Sequence, residues 1–147
     1  MEDWRDLLID DRDGIREVLG NTRRIAVLGI KPESHAMQPA FYVPQYLKEA
    51  GYEIVPVPVY YPDVEQILGE PVHRRLADVP GEVDLVEVFR RPNDVPPHVD
   101  DIIAKGPRWV WMQSGIRHEG AARRLAEAGI GVVQDRCMLV DHRRFMG

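Results

Sequence analysis

The stretch RRIAVLGIKPESH, Arg23–His35, decides how this chain is read. Ile25 to Leu28 is a continuous apolar run, the pattern of a strand buried on both faces, and it stops at a glycine followed by a lysine and a proline. A strand that only filled a core could end in any turn. Gly29 instead lets backbone approach a ligand closely, and amides at the start of a following helix can hold an anion with help from the helix dipole. The competing reading is a plain tight turn with solvated cations beside it.

The same alternation of strand and helix patterns returns along the chain. Before the run, Met1 to Gly20 spaces Trp4, Leu7, Leu8, Ile15, Val18 and Leu19 among acids and arginines, which predicts amphipathic helical turns over 1–20. After it, Phe41 to Ala50 carries a helical face of Val43, Tyr46, Leu47 and Ala50, stopped by Gly51, with Pro44 expected in the first turn. Tyr52 to Val59 reads as a second strand whose ladder ends at its prolines. Tyr60 to Gly81 reads as a loop with short helical pieces around Val64 to Leu68 and Val72 to Leu76. Further strands are expected at Asp84 to Phe89, Arg108 to Gln113 and Gly131 to Gln134, with helices at Val95 to Lys105 and His118 to Ala128 between them. This order predicts one α/β domain over 1–147: a doubly wound, Rossmann-like, mainly parallel five-stranded sheet with helices on both faces.

In such a sheet, ligands bind beyond the carboxyl ends of the strands, where strand order reverses. Five loops therefore carry the functional question: GIKPES (Gly29–Ser34), PVPVYY (Pro56–Tyr61), FRRPND (Phe89–Asp94), QSGIRHEG (Gln113–Gly120) and QDRC (Gln134–Cys137). Lys31, Arg90 and Arg91 fall on one rim, where they could draw a polyanion to a chain whose net charge is -5. That net charge argues against general affinity for nucleic acid. Apolar runs fall short of the roughly 20 residues needed to span a bilayer, and the first residues are acidic where a secretory signal is basic, so no membrane association and a cytoplasmic location are expected. A single cysteine, Cys137, permits neither an internal disulfide nor a cysteine zinc cage.

Several chemistries fit poorly. The dinucleotide fingerprint requires G-x-G-x-x-G and an acid closing the second strand; the next glycine after Gly29 is Gly51, and strand two ends in prolines and valines. The histidines His35, His73, His98, His118 and His142 show no pair at helical metal spacing. Cys137 with His142 is the nearest approach to a nucleophile and base, and Ser114 lacks the glycine two residues earlier that a nucleophile elbow needs. No catalytic residues and no metal site are expected.

With these loops in hand, the chain resembles the CoA-binding domain family, small stand-alone relatives of the N-terminal domain of the succinyl-CoA synthetase alpha subunit. The resemblance is carried by IAVLGIKPES, YLKEAGYEIVPVPV, ILGEPVHRRLADVP, DLVEVFRRPNDVPPHVDDIIAKG and VWMQSGIRHEGAARRLAEAGIGVVQDRC, in that order. It implies a Rossmann-type fold whose strand ends bind coenzyme A, with Gly29, Ile30, Lys31 and Ser34 near the phosphates. It further implies that Pro56 and Val57 flank the nucleotide, that Phe89, Arg90 and Arg91 line the same cleft, and that Gln113, Ser114 and Gly115 meet the pantetheine. The synthetase's second domain, with its phosphorylatable histidine, has no counterpart before Gly147, so ligase activity is not implied. Where stand-alone relatives often continue the first loop with arginine, proline and serine, this sequence has HAMQPAF, His35–Phe41. The expected function is reversible binding of coenzyme A or an acyl-CoA without catalysis. Two other classes remain: a redox module using NADP or another nucleotide in the same cleft, and an interaction module docking on an acyl-CoA enzyme.

Overall fold

The computed structural model describes residues 3–147, so the first two positions of the helical segment expected over 1–20 lie outside the described residues. A 3-10 turn at Trp4–Leu7 leads into α1 (Arg12–Asn21), where Asp11 Oδ2 accepts the amide proton of Gly14 at 3.3 Å. This is the side-chain cap that a helix start requires, because its first amides have no partner inside the helix. The chain continues through β1 (Arg24–Leu28), α2 (Pro39–Glu49) and β2 (Glu53–Val57), then a hairpin of β3 (Gln66–Ile67) and β4 (Glu70–Pro71). There follow β5 (Leu85–Val88), α3 (Val99–Lys105), β6 (Trp109–Met112), α4 (Glu119–Glu127), β7 (Gly131–Val133) and α5 (Met138–Phe145).

The main sheet has five strands in the order β2-β1-β5-β6-β7, and every neighbouring pair is parallel. This is the α/β, Rossmann-like architecture expected from the alternation. Successive side chains on a strand point to opposite faces. Ala26, Leu28, Val86, Val88, Val110 and Met112 accordingly join one core with residues of α3 and α4, while Ile25, Val27, Leu85, Trp109 and Trp111 join another with residues of α1, α2 and α5. Both sheet edges are covered. Ile9 donates its amide proton to Val132 O at 2.8 Å beside β7, and His73 donates to Pro56 O at 3.0 Å beside β2. Such cover removes the open template that an edge strand presents. Pro56 is tolerated inside β2 because this strand lies at the edge, where a missing amide proton breaks no ladder bond.

Two local expectations are corrected. The segments around Val64 to Leu68 and Val72 to Leu76 are not helical: the first contributes to the hairpin, and the only helical turn in that region is the 3-10 turn Leu76–Asp78. Leu68 and Gly69 both have positive φ at its bend, a conformation that reverses the chain where no helical face is extended. Pro44 does not fall in the first turn either, because α2 starts at Pro39 and Pro44 sits inside it. A proline there leaves the carbonyl four residues earlier without its helical partner. That carbonyl, on Ala40, instead accepts the amide proton of Lys31 at 3.1 Å, so the break in the helix ladder ties the loop after β1 to α2.

Glu87 lies in the middle of the central strand, between Val27 and Trp111 in register. It is fully buried, and neither carboxyl oxygen has a hydrogen-bond partner. Desolvation pushes its pKa up to about 8 from the ordinary 4.5, so at neutral pH the group is held as the neutral acid.

Candidate functional site at the carboxyl ends of the central strands

Strand order reverses between β1 and β5, and the loops leaving these two strands diverge: α2 packs on one face of the sheet, α3 on the other. The crevice this leaves at the strand ends is a cleft of about 740 Å³, within the range typical of small-molecule sites. Its lining includes six of the residues expected from the sequence, Lys31, Phe89, Arg90, Arg91, Gln113 and Ser114.

Gly29 has a φ of +90°, and a Cβ there would sit 2.2 Å from the carbonyl oxygen of Phe89. No side chain fits that space. The glycine that ends β1 is therefore required by the backbone leaving β5, and Arg90 crosses the same spot, its Cδ 3.3 Å from the position of the absent Cβ. The Gly29 amide already donates to Val57 O at 2.9 Å, and that of Lys31 to Ala40 O. Two amides of the loop expected near the phosphates are thus engaged within the fold, which leaves the attraction to side chains and to the start of α2.

Lys31 reaches across the cleft wall to the side-chain oxygen of Gln38. Arg90 donates from Nε to His98 Nε2 at 3.2 Å, and its Nη2 lies 3.9 Å from Asp94 Oδ2. Arg91 is exposed. Gln113 is buried at the base of the cleft, where its Oε1 accepts the Met138 amide proton at 3.1 Å and so anchors the first turn of α5. Ser114 is exposed at the rim.

The other expected residues lie outside the lining. Ile30 is buried in the core beneath. Ser34 is exposed, its hydroxyl 2.9 Å from His35 Nδ1, and His35 in turn stacks edge-on with Tyr61. Pro56 and Val57 are buried in β2, with Pro56 bordering a separate cavity at the sheet edge. Gly115 donates its amide proton to Asp135 Oδ1 at 2.6 Å, which turns it toward the loop after β7.

The lining residues not expected as site residues are Gln38, Pro39, Ala40, Tyr42, Ile116 and Cys137, of which Ile116 and Cys137 fall within two of the strand-end loops named from the sequence. The first four sit at the start of α2, whose first turn has no side-chain cap, and belong to or adjoin the HAMQPAF stretch that the resemblance singled out. That stretch was the available signal. Cys137 shares the cleft, whereas His142 is engaged within the fold. His142 Nδ1 pairs with the Tyr46 hydroxyl at 2.8 Å, and burial holds the imidazole below its usual range.

Among the described residues that line the cleft, three are cationic and none is a carboxylate. No helix among the described residues is long and apolar enough to cross a membrane.

The comparisons with known proteins agree with this architecture. Over 128 residues the chain is 32% identical to the Uncharacterized protein YneT of Bacillus subtilis, covering 87% of this chain and 91% of that protein. Among solved structures it is similar to cell-free ID.343 from Thermus thermophilus, with a TM-score of 0.84 and 39% identity, covering 92% of this chain and 99% of the other. It is also similar to a hypothetical protein from Pyrococcus horikoshii OT3, with a TM-score of 0.84 and 32% identity over 94% of each chain. The model of the CoA binding domain family matches residues 23–143, the whole sheet together with the loops that form the cleft, and the chain belongs to that family.

Proposed function

We propose that this protein binds coenzyme A or an acyl-CoA in the cleft between β1 and β5 and carries out no chemistry of its own. The observation that carries this reading is the charge of the cleft: Lys31, Arg90 and Arg91 converge in a chain of net charge -5, and no carboxylate lines the same space. Phosphates of the nucleotide end fit this rim, where charge-assisted hydrogen bonds from arginine are strongest. The start of α2 adds the positive end of a helix dipole on the same side. The rest of the lining, Ile116 and Cys137 among it, is uncharged, which suits the pantetheine arm and an attached acyl chain. Membership of the CoA binding domain family supports the same ligand. The absence of a chemical step is inferred from the side chains: among the described residues no base hydrogen-bonds the Ser114 hydroxyl, and the imidazole nearest in sequence to Cys137 is engaged elsewhere.

Thermal unfolding with excess ligand tests the reading, since a ligand bound only by the folded state raises its stability by mass action. A rise in Tm with CoA, a smaller rise with dephospho-CoA and none with NADP is expected. Cys137 supplies a second, independent readout, because it is the chain's one cysteine and lines the cleft. Its alkylation by a small thiol reagent should slow when CoA is bound. Unchanged Tm and unchanged alkylation at about millimolar CoA would remove the proposal.

A further inference from the structure

Arg90 is the most constrained of the three cleft cations. Its stem passes over Gly29, where a Cβ would come within 3.3 Å of Cδ, and its Nε donates to His98 Nε2 at 3.2 Å. A guanidinium is a donor only, so His98 must present a lone pair at Nε2 and carry its proton on Nδ1. His98 ends the 3-10 turn Pro96–His98 immediately before α3, and the preceding 3-10 turn, Pro92–Asp94, brings Asp94 to 3.9 Å from Arg90 Nη2. The guanidinium is thereby held from one side and meets the cleft with the other.

We propose that neutral His98 is a positioning residue that fixes Arg90 at the rim of the cleft, and that protonation of His98 releases the guanidinium and weakens phosphate binding there. This rests on the cleft being the anion site of the proposed function and adds to it the residue that tunes the site. The charged groups around His98 set the direction. Arg90 and Asp94 face it from the segment after β5, and Asp101 faces it from α3. Arg74 and Arg75 border the cavity of about 120 Å³ that His98 shares with Asp101. Arg75 already bonds both oxygens of Asp101, at 3.1 and 3.3 Å, which reduces that carboxylate's ability to favour an imidazolium. Burial and then Arg90 hold the His98 pKa below its usual value, against a smaller opposing effect of Asp101 and Asp94.

Protonation removes the acceptor and sets two cations in contact. By linkage only what differs between free and bound protein sets the sign: a bound phosphate holds the guanidinium against the imidazolium, a repulsion that the free protein relieves by releasing Arg90, and this close contact outweighs the longer-range attraction between phosphate and imidazolium. A freed arginine must then be ordered again by the ligand, which costs affinity.

The test measures binding of CoA, and separately of pyrophosphate, to the full chain by calorimetry between about pH 7.5 and about pH 5, the range over which an imidazole charges. Affinity of the native protein should fall on the order of tenfold for both probes. In His98→Gln the side-chain oxygen can take the Arg90 proton and does not titrate, so this variant should bind normally at the higher pH and lose only what protonation of the ligand itself removes. His98→Leu should bind weakly at both. Identical pH profiles for native protein and His98→Gln would overturn the proposal. Nitrogen chemical shifts of the native His98 ring give a readout independent of any ligand: a proton on Nδ1 at neutral pH is required, and a proton on Nε2 would overturn the geometry. Should pyrophosphate follow the expected profile while CoA fails to bind, the CoA reading falls and the role of His98 stands. Should neither bind, both fall.

Discussion

Glu87 and Arg90 are close neighbours on one segment, and the fold treats their charges in opposite ways. Glu87 faces the core inside β5 with no partner for either oxygen, and it survives there by keeping its proton. Arg90 stands just past the strand's end, part exposed, with His98 and Asp94 beside it and its charge retained at the cleft. The difference teaches where this protein can use charge. Inside the sheet a lone ionised group loses its hydration and gains nothing in return, whereas at the strand end solvent and neighbours support it. Phe89 separates the two environments, and Gly29 packs directly against its carbonyl.

The largest perturbation of this arrangement is Gly29→Ala. A Cβ placed 2.2 Å from the Phe89 carbonyl oxygen, at a φ of +90°, must displace the backbone leaving β5. A loss of about 3 kcal/mol or more is expected in chemical denaturation, with weakened CoA binding in the molecules that remain folded. A neutral effect on both would show that the interior and the rim are not joined through Phe89.

Next in size is Glu87→Leu, which replaces the unpaired acid by an apolar side chain. Because the carboxyl's folded pKa is raised, the native state keeps a proton that the unfolded chain gives up. This group's contribution to stability therefore falls as pH rises from 4.5 to about 8 and is level above that. The slope is at most about 1.4 kcal/mol per pH unit. The variant should lack this slope, so its margin of stability over the native protein should widen by a few kcal/mol between about pH 5 and about pH 8. Urea denaturation at two pH values measures it, and an unchanged slope would mean that Glu87 is solvated or paired after all.

Lys31→Glu should weaken CoA binding on the order of tenfold, since it reverses a charge in the cleft. Lys105→Glu makes the same charge change far from it. There Lys105 Nζ donates to the Gly81 carbonyl at 2.7 Å, so stability should fall while affinity holds. Equal affinity losses in the two variants would break the distinction between a cleft and a generally attractive surface.

The smallest effect is expected from Pro44→Ala. It restores a helix amide that competes with Lys31 for the Ala40 carbonyl. Stability should change by less than about 1 kcal/mol, while hydrogen exchange at the Lys31 amide speeds up. Unaltered exchange would mean that the loop is held by other contacts.

Much of the fold was legible because apolar periodicity reports what each segment buries. The run Ile25 to Leu28, with VEV and WVW later, reads as strand without knowledge of neighbours, and Gly51 and Gly129 mark where helices stop. The hairpin at Gln66–Pro71 was not legible, since two-residue strands are too short to show a period. For the cleft, Lys31, Phe89, Arg90, Arg91, Gln113 and Ser114 followed from their places after strands. Tyr42 did not, because it lies in a helix, and Cys137, although it ends one of the strand-end loops, carried no feature there that pointed to the cleft. Pro56 and Val57 also end a strand, but β2 lies at the sheet's edge, one strand removed from the point where the order reverses. Glu87 falls within the expected strand Asp84 to Phe89, but its buried, unpartnered state depends on neighbours that the sequence does not place.

The sequence by itself determined that this chain makes buried parallel strands joined by helices, with cations just beyond two of the strands, because those properties depend on spacing along the chain. Only the tertiary structure decided which strand ends meet. It placed β1 beside β5, brought the Phe89 carbonyl against Gly29, handed the Ala40 carbonyl to Lys31 and set His98 against Arg90. Each is a contact between segments distant in sequence or turned by a local break, and strand order and register, which no single segment encodes, determine whether it forms.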